Sequence, residues 1–545
     1  MRNESRDVAV VDAANGTELE ITIRLDARGT ALRGSYVGIT SDTDLMLGRI
    51  SEVAMVNPIH QNETFTPLIM RNGRIPNWSG DVDIERGTVE IIAVTDENGK
   101  RIPVRRNPKS GTSVELADQA VINRFASERE YFLNLGYIPN SGGLLASIAN
   151  RHFGPRSDDL NHDTGGWSEA RHTAILGQNG SAKTVLLTAI IAGRLAAHPQ
   201  MGLLMPDTSS DLCDPDRHNA GDYRWNYGDV LKAKGIAIET IKINDVKLTS
   251  PHTLTYKLGP VMKRHLNCSS EKGRELASRI VDNLFEKQVD VSQFTADKIL
   301  EKMKQHIPFC WNDVAMKQKA ADNLSRSRFN ADIEHIRKLF EGRWPLWSLI
   351  KDVLEHGRKV ALDFEGVIND DHRFIMREII ENMTRQAQLL FHAKRMANAM
   401  FVLDEASRWV PEGKDESDDG SAELIIDGFR TTRKYGLGWI VVAQSPTGIS
   451  KSVLRECRTK YCGRNLGLGI DSEHLQDMLG KDGARAYAQL AIQGGFYWVA
   501  KGPDCNLGGE DKWFAIHPFS GDATKAFIDA NPHIFGIARA AVAAE

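Results

Sequence analysis

The stretch RHTAILGQNGSAKTVLLTAIIAGRLAA, residues 171 to 197, constrains this chain more than any other. It reads as an apolar strand that runs into a glycine-containing loop and leaves it as an apolar helix without breakers. In that context successive backbone N–H groups and a helix N-terminus face a phosphate, a lysine supplies a point charge, and a hydroxyl reaches a magnesium ion. Gly177, Gly180, Lys183 and Thr184 stand where such a loop needs them, with Asn179 and Ser181 between. Ala182 departs from the pattern, because it replaces the glycine that usually precedes the lysine. Its methyl group is tolerable at negative φ and costly at positive φ, where a Cβ is penalised by about 1–2 kcal/mol.

A second stretch supplies what the loop lacks. In AMFVLDEA an apolar strand delivers Asp404 and Glu405 at its carboxyl end. A carboxylate there can hold magnesium, and its neighbour can polarise an attacking water. Asp-Glu pairs on helices are usually solvated charges, but four apolar residues leading into this one favour a strand-end site. GWIVVA then ends in Gln444, whose amide either senses a γ-phosphate or caps the segment that follows. Two arginines are candidates for stabilising the charge that builds on a transferring phosphoryl group: Arg171, just before the loop strand, and Arg433, in FRTTRKYGLG. Surface solvation is the alternative for both. MGLLMPD and KVALDFEGV read as further apolar strands separated by helical stretches. The fold class is therefore α/β, a parallel sheet covered on both faces.

The chain is long enough, at 545 residues, for several domains. Residues 1–150 read as a small β-barrel: LEITIRLD, SYVGIT, LGRISEVAMV, TVEIIAVTD and KRIPVRR are short, rich in β-branched residues, and broken by RNGR and ENGK. From ASEREYFLNLGYIP onward the chain reads as helical or irregular, and GPRSDDLNHDTGGWSEA reads as a polar linker. The sheet-forming core then divides into 151–255 and 358–510, separated by a helical insertion over 256–357, where ADKILEKMKQHI is amphipathic. Residues 511–545 form a tail with an Ala-rich end. PEGKDESDDGSAE, 411–423, reads as a solvated acidic loop or a partner-binding segment.

Composition excludes other classes. The longest apolar runs fall far short of the ~20 residues of a membrane span, so the chain is expected to be cytoplasmic, with no membrane partner. Cys213, Cys268, Cys310, Cys457, Cys462 and Cys505 form no CxxC pairs, which favours reduced thiols over a zinc site. With 68 basic against 72 acidic residues, a wholly basic nucleic-acid coat is excluded, but a local basic face or pore is not.

RHTAILGQNGSAKT, the MPD and LDFEG strand ends, FVLDEAS, and TTRKYGLGWIVVAQSPTGIS together resemble the HerA branch of the HerA and FtsK family of hexameric DNA-pumping ATPases, over most of 170–470. The barrel in front, the central helical insertion and the tail also look like the HerA layout. The resemblance implies a RecA-like P-loop core assembled as a homo-hexamer, with ATP and Mg2+ at subunit interfaces and double-stranded DNA in a central channel. By position it implies that Lys183 and Thr184 bind phosphate and magnesium, Asp404 the magnesium, Glu405 the attacking water and Gln444 the γ-phosphate. It places Arg171 and Arg433 at interface positions. It also implies an effector docked on the barrel: a NurA-type nuclease in DNA-end resection, or a sirtuin-type NADase or other nuclease in antiphage defence. Two functions follow. One is an ATP-driven DNA translocase or helicase, whose hydrolysis DNA stimulates; the other is a nucleotide-gated scaffold that organises an effector without processive pumping.

Overall fold

The computed structural model describes residues 6–28, 32–58, 83–126, 132–139, 141–150, 170–217, 219, 221–284, 294–310, 314–324, 327–367, 369–413, 421–466, 470–493, 496–505 and 512–536. The RNGR turn, nearly all of the polar linker, the middle of the acidic loop and the Ala-rich tail lie outside them.

The first strands alternate buried and exposed residues, the pattern of a sheet with one face on a core. They are β1 (Asp7–Asn15), β2 (Glu18–Ile23), β3 (Tyr36–Ser41), β4 (Asp44–Val56), β5 (Ile84–Thr95), β6 (Arg101–Ile102) and β7 (Ser113–Leu116). Pairing runs β2-β1-β7-β3-β4-β5, and β2 also pairs with β5, so the sheet closes on itself with β6 added to β5. Leu19, Ile21, Val37, Ile39, Ile50, Val89, Ile91 and Val114 fill the inside. The expected barrel is present, and closure leaves no open edge among these pairings.

The barrel strands end at Leu116. The next two strands, β8 (Phe132–Tyr137) and β9 (Leu145–Ala149), belong to a different sheet, where the sequence had read FLNLGY as helical or irregular. Leu133 and Leu135 point inward at alternate positions, and β8 pairs with a strand near the end of the chain. That distant partner, invisible to local pattern, selects the extended form.

The large sheet is built from β10 (Thr173–Leu176), β11 (Gly202–Asp207), β12 (Glu239–Lys242), β15 (Lys359–Asp363), β16 (Ala399–Leu403), β17 (Leu437–Ala443), β18 (Thr459–Cys462), β19 (Trp498–Lys501) and β20 (Trp513–Pro518), together with β8 and β9. Two short strands, β13 (Val246–Lys247) and β14 (Trp344–Pro345), pair separately. The order is β12-β15-β11-β16-β17-β10-β18-β19-β20-β8-β9, parallel from β12 to β18 and antiparallel beyond. Every residue of β10, β16 and β17 is buried, and successive residues face opposite layers. Phe401 and Leu403 pack into one core, Met400 and Val402 into the other. This explains why these strands read as unbroken apolar runs; burying each large side chain contributes about 1.5–3 kcal/mol.

The turn before β17 shows how tightly the strands are set. Gly436 has φ 90°, and a Cβ there would lie 2.0 Å from the carbonyl oxygen of Ala397, so neither the conformation nor the space admits a side chain.

The insertion is helical as expected: Pro251–Leu266, Ser270–Leu284, Ala296–Cys310, Val314–Leu324 and Ser327–Lys338 precede the helix Leu346–His356, which packs against β11. Barrel and sheet meet at Arg49, 2% exposed, whose guanidinium lies 3.5 Å above the Trp513 ring and donates to Glu90 at 2.6 Å.

Candidate nucleotide site

The loop between β10 and the helix Lys183–Ala197 is held from both neighbouring strands. Gly177 N–H donates to Ala443 O at 3.1 Å, at the end of β17, and Gly463 N–H, after β18, donates to Leu176 O at 2.7 Å. Inside the loop Ser181 N–H donates to Gln178 O at 3.1 Å. A Cβ on Gly177 would lie 2.5 Å from Ser181 Oγ, so that glycine is a packing requirement. Gly180 has φ 78°.

Ala182 has φ 61° and ψ 34°, the costly case. It precedes the helix and offers no side-chain cap, so the first N–H groups of a 15-residue helix are left for an anion. Ala182→Gly is expected to stabilise the protein by about 0.5–1 kcal/mol in urea unfolding. Relief of the ~1–2 kcal/mol left-handed penalty is partly offset by the greater freedom of glycine in the unfolded chain. A destabilised variant would mean that the loop does not hold this conformation in solution.

Lys183 Nζ donates to Gly177 O at 2.6 Å and Gln178 O at 3.1 Å, folded back onto the loop. Burial lowers its pKa, and the carboxylates of Asp404 and Glu405 oppose that shift. Asp404, at the end of β16, accepts the Glu405 N–H at 2.8 Å. Its pKa is pushed up to about 6, first by burial and further by the charges of Glu405 and Asp207. Glu405 itself sits at φ 48° and ψ 43°. A non-glycine residue held there costs on the order of 1–2 kcal/mol, and such strain gathers at functional sites.

One cavity of about 300 Å³ collects these groups: Asn179, Gly180, Ala182, Lys183 and Thr184 from the loop, Asp404 and Glu405 from β16, and Gln444 from the exposed tip of β17. Gly177 and Ser181 shape the loop without lining the cavity. Ser209 and Asp211 complete the wall and were not picked out from the sequence. They follow β11, where the buried Asp207 accepts the N–H groups of Leu212 at 2.7 Å and Cys213 at 2.8 Å and so curls TSSDLC over the site. The available signal was a polar run directly after MPD, on the strand that pairs with the Asp-Glu strand.

The donor set suits magnesium. Thr184 and Asp404 offer hard oxygen atoms, and Asp404, its pKa raised first by burial, stands among the carboxylates of Glu405 and Asp207. Among the described residues there is no group of three or more His, Cys, Asp or Glu that could hold a metal ion. Magnesium in this cavity would be shared with phosphate oxygens and water, its usual habit.

The arginines gather at the other end of the sheet, where Ala170 N–H donates to Arg433 O at 2.9 Å. The side chain of Arg433 is 23% exposed and lies 3.5 Å from Glu456. Arg171 is buried, only 7% exposed, and its guanidinium is paired with the fully buried Asp504. Neither solvation nor a guanidinium projecting from the surface describes it. Its charge is committed within the chain.

In the sheet, β17 stands between the loop strand β10 and the Asp-Glu strand β16, so Gln444 emerges between the phosphate loop and the carboxylates. This is a RecA-like P-loop fold. No family model and no curated protein matches the chain. Among solved structures it is similar to the bacterial conjugative coupling protein TrwBdeltaN70, at 12% identity over 71% of this chain and 94% of that one, with a TM-score of 0.41. VirB4 of Thermoanaerobacter pseudethanolicus gives 13% identity, 72% and 98% coverage and a TM-score of 0.40. The genome packaging NTPase B204 from Sulfolobus turreted icosahedral virus 2, in complex with AMPPCP, gives 9%, 64% and 98%, and 0.31. No helix among the described residues is long and apolar enough to cross a membrane.

Proposed function

We propose that this chain hydrolyses ATP in the cavity between the phosphate loop and the Asp-Glu strand, and that the hydrolysis drives movement of DNA. The observation that carries the reading is the convergence of Lys183, Thr184, Asp404, Glu405 and Gln444 on one cavity at the carboxyl ends of parallel strands. The helix N-terminus and loop N–H groups receive the phosphates. Lys183 exchanges its loop carbonyls for β- and γ-phosphate oxygens. Magnesium, when bound, neutralises charge on those oxygens, with Thr184 and Asp404 as its protein ligands. Glu405 accepts the proton of the attacking water, and Gln444 orients that water or the γ-phosphate.

The finer reading, a HerA-type homo-hexamer that threads duplex DNA and carries a nuclease or NADase effector on its barrel in antiphage defence, rests on the sequence resemblance. Arg433 is the candidate to act across a subunit interface, since it lies at the sheet end away from its own cavity. The nucleotide-gated scaffold, a ring that organises an effector without processive pumping, is the second reading, and the departure at Ala182 from the usual glycine is what keeps it open.

The test is ATP hydrolysis by the full chain with and without linear duplex DNA. Turnover that DNA raises several-fold and that Lys183→Ala abolishes is the expected result. Turnover indifferent to DNA would overturn the translocase and leave the scaffold.

A further inference from the structure

Two adjacent side chains near the start of the helix Asn369–His392 face different parts of the molecule. Asp371, 2% exposed, is paired with Lys257 on the first insertion helix, Pro251–Leu266, and accepts from His335 Nε2 at 3.0 Å on the helix Ser327–Lys338. His372, 4% exposed, faces the Asp-Glu strand end instead. Arg408 Nη2 donates to its Nδ1 at 3.1 Å, and Val367 O lies 3.2 Å from its Nε2. A guanidinium has no lone pair to accept with, so Nδ1 is the acceptor and Nε2–H donates to Val367. The ring is neutral and fixed in one tautomer. Arg408 N–H in turn donates to Glu405 O at 2.8 Å, closing the turn that holds Glu405 at φ 48°.

The same helix also roots the insertion. Glu378, fully buried, accepts the N–H groups of Thr249 at 2.6 Å and Ser250 at 2.9 Å, and the Ser250 side chain caps the helix Pro251–Leu266. Lys257 also lies 4.3 Å above the Phe374 ring. None of these residues lines the nucleotide cavity. A charge pair this deeply buried does not separate without leaving an uncompensated charge, so the insertion helix and residues 371–372 move as one body.

We propose that the pair Asp371–His372 couples the helical insertion to the Glu405 turn, so that displacement of the insertion repositions the water-activating carboxylate. The chain of contact runs Lys257, Asp371, His372, Arg408, Glu405. Asp371, His372 and Arg408 are positioning residues in it. This rests on the reading of Glu405 given above. It supplies regulation: a load on the insertion, whether nucleic acid or protein, sets turnover without touching nucleotide.

The experiment uses the full chain. Lys257→Met breaks the pair at the end remote from the cavity. His372→Leu removes both hydrogen bonds of the ring, whereas His372→Gln can accept from Arg408 and donate to Val367. Amide hydrogen exchange over residues 405–410, without nucleotide, is expected to rise about tenfold in Lys257→Met and His372→Leu and to stay within about threefold in His372→Gln. ATP turnover should follow, with kcat down about tenfold and KM within about twofold, the signature of a misplaced base rather than a lost nucleotide contact. Unchanged exchange over 405–410 in a folded Lys257→Met protein would overturn the coupling. If Lys257→Met fails to fold, Lys257→Gln, which removes the charge of the pair but keeps a polar partner for Asp371, takes its place with the same two outcomes. A wild-type protein that turns over no ATP would sink the hydrolytic reading of Glu405; the exchange still decides the coupling.

Discussion

Glu405→Gln is expected to lower ATP turnover by about 10²–10⁴-fold, the range that general-base catalysis supplies, while nucleotide binding stays within a few-fold of wild type. That loss corresponds to roughly 3–5 kcal/mol of transition-state stabilisation. The substitution keeps the size of the side chain and the left-handed backbone but removes the carboxylate proposed to take the proton from water. Binding survives on the proposed reading, in which the phosphates are held by the loop, Lys183 and Thr184, all lining the cavity. Lys183→Ala differs in kind, since it removes the ammonium group and weakens binding as well as turnover. Steady-state hydrolysis beside equilibrium binding of a fluorescent ATP analogue separates the two. A Glu405→Gln protein that keeps more than a tenth of wild-type turnover would take Glu405 out of the base role and return the cavity to the scaffold reading.

The site was legible in the sequence to the extent that local chemistry encodes it. AMFVLDEA and GWIVVAQ announce themselves because strands buried on both faces must be apolar throughout and become polar only where they leave the sheet. β12 was missed because only Ile241 of ETIK is buried, so the segment carries no apolar run. The backbone at Ala182 and Glu405 was not legible either. Alanine and glutamate give no sign that they occupy conformations suited to glycine, and the surrounding hydrogen bonds impose them. Ser209 and Asp211 reach the cavity through a turn built on the buried Asp207, which sequence spacing cannot anticipate.

The burial of Arg171 was not legible for a related reason: its partner lies 333 residues further along the chain. Arg171→Ala is expected to lower the unfolding free energy by about 3–5 kcal/mol, because truncating one member of a buried pair leaves the other charge without compensation. Asp504 is fully buried, accepts from Thr459 Oγ1 at 2.9 Å, and has Arg194 Nη2 at 3.7 Å as its remaining cation. The contact to Arg194 is long, so it softens the loss without cancelling it. The cluster joins the start of β10, the helix Lys183–Ala197, β18 and the turn after β19, so its failure loosens the frame that holds the phosphate loop. Turnover should then fall in step with the folded fraction, and conditions that restore folding should restore activity. Urea unfolding beside ATP hydrolysis decides the matter. A protein of wild-type stability that has lost turnover would put the Arg171 guanidinium back at a neighbouring subunit's nucleotide, and the buried pair with Asp504 would then be a resting arrangement that assembly opens.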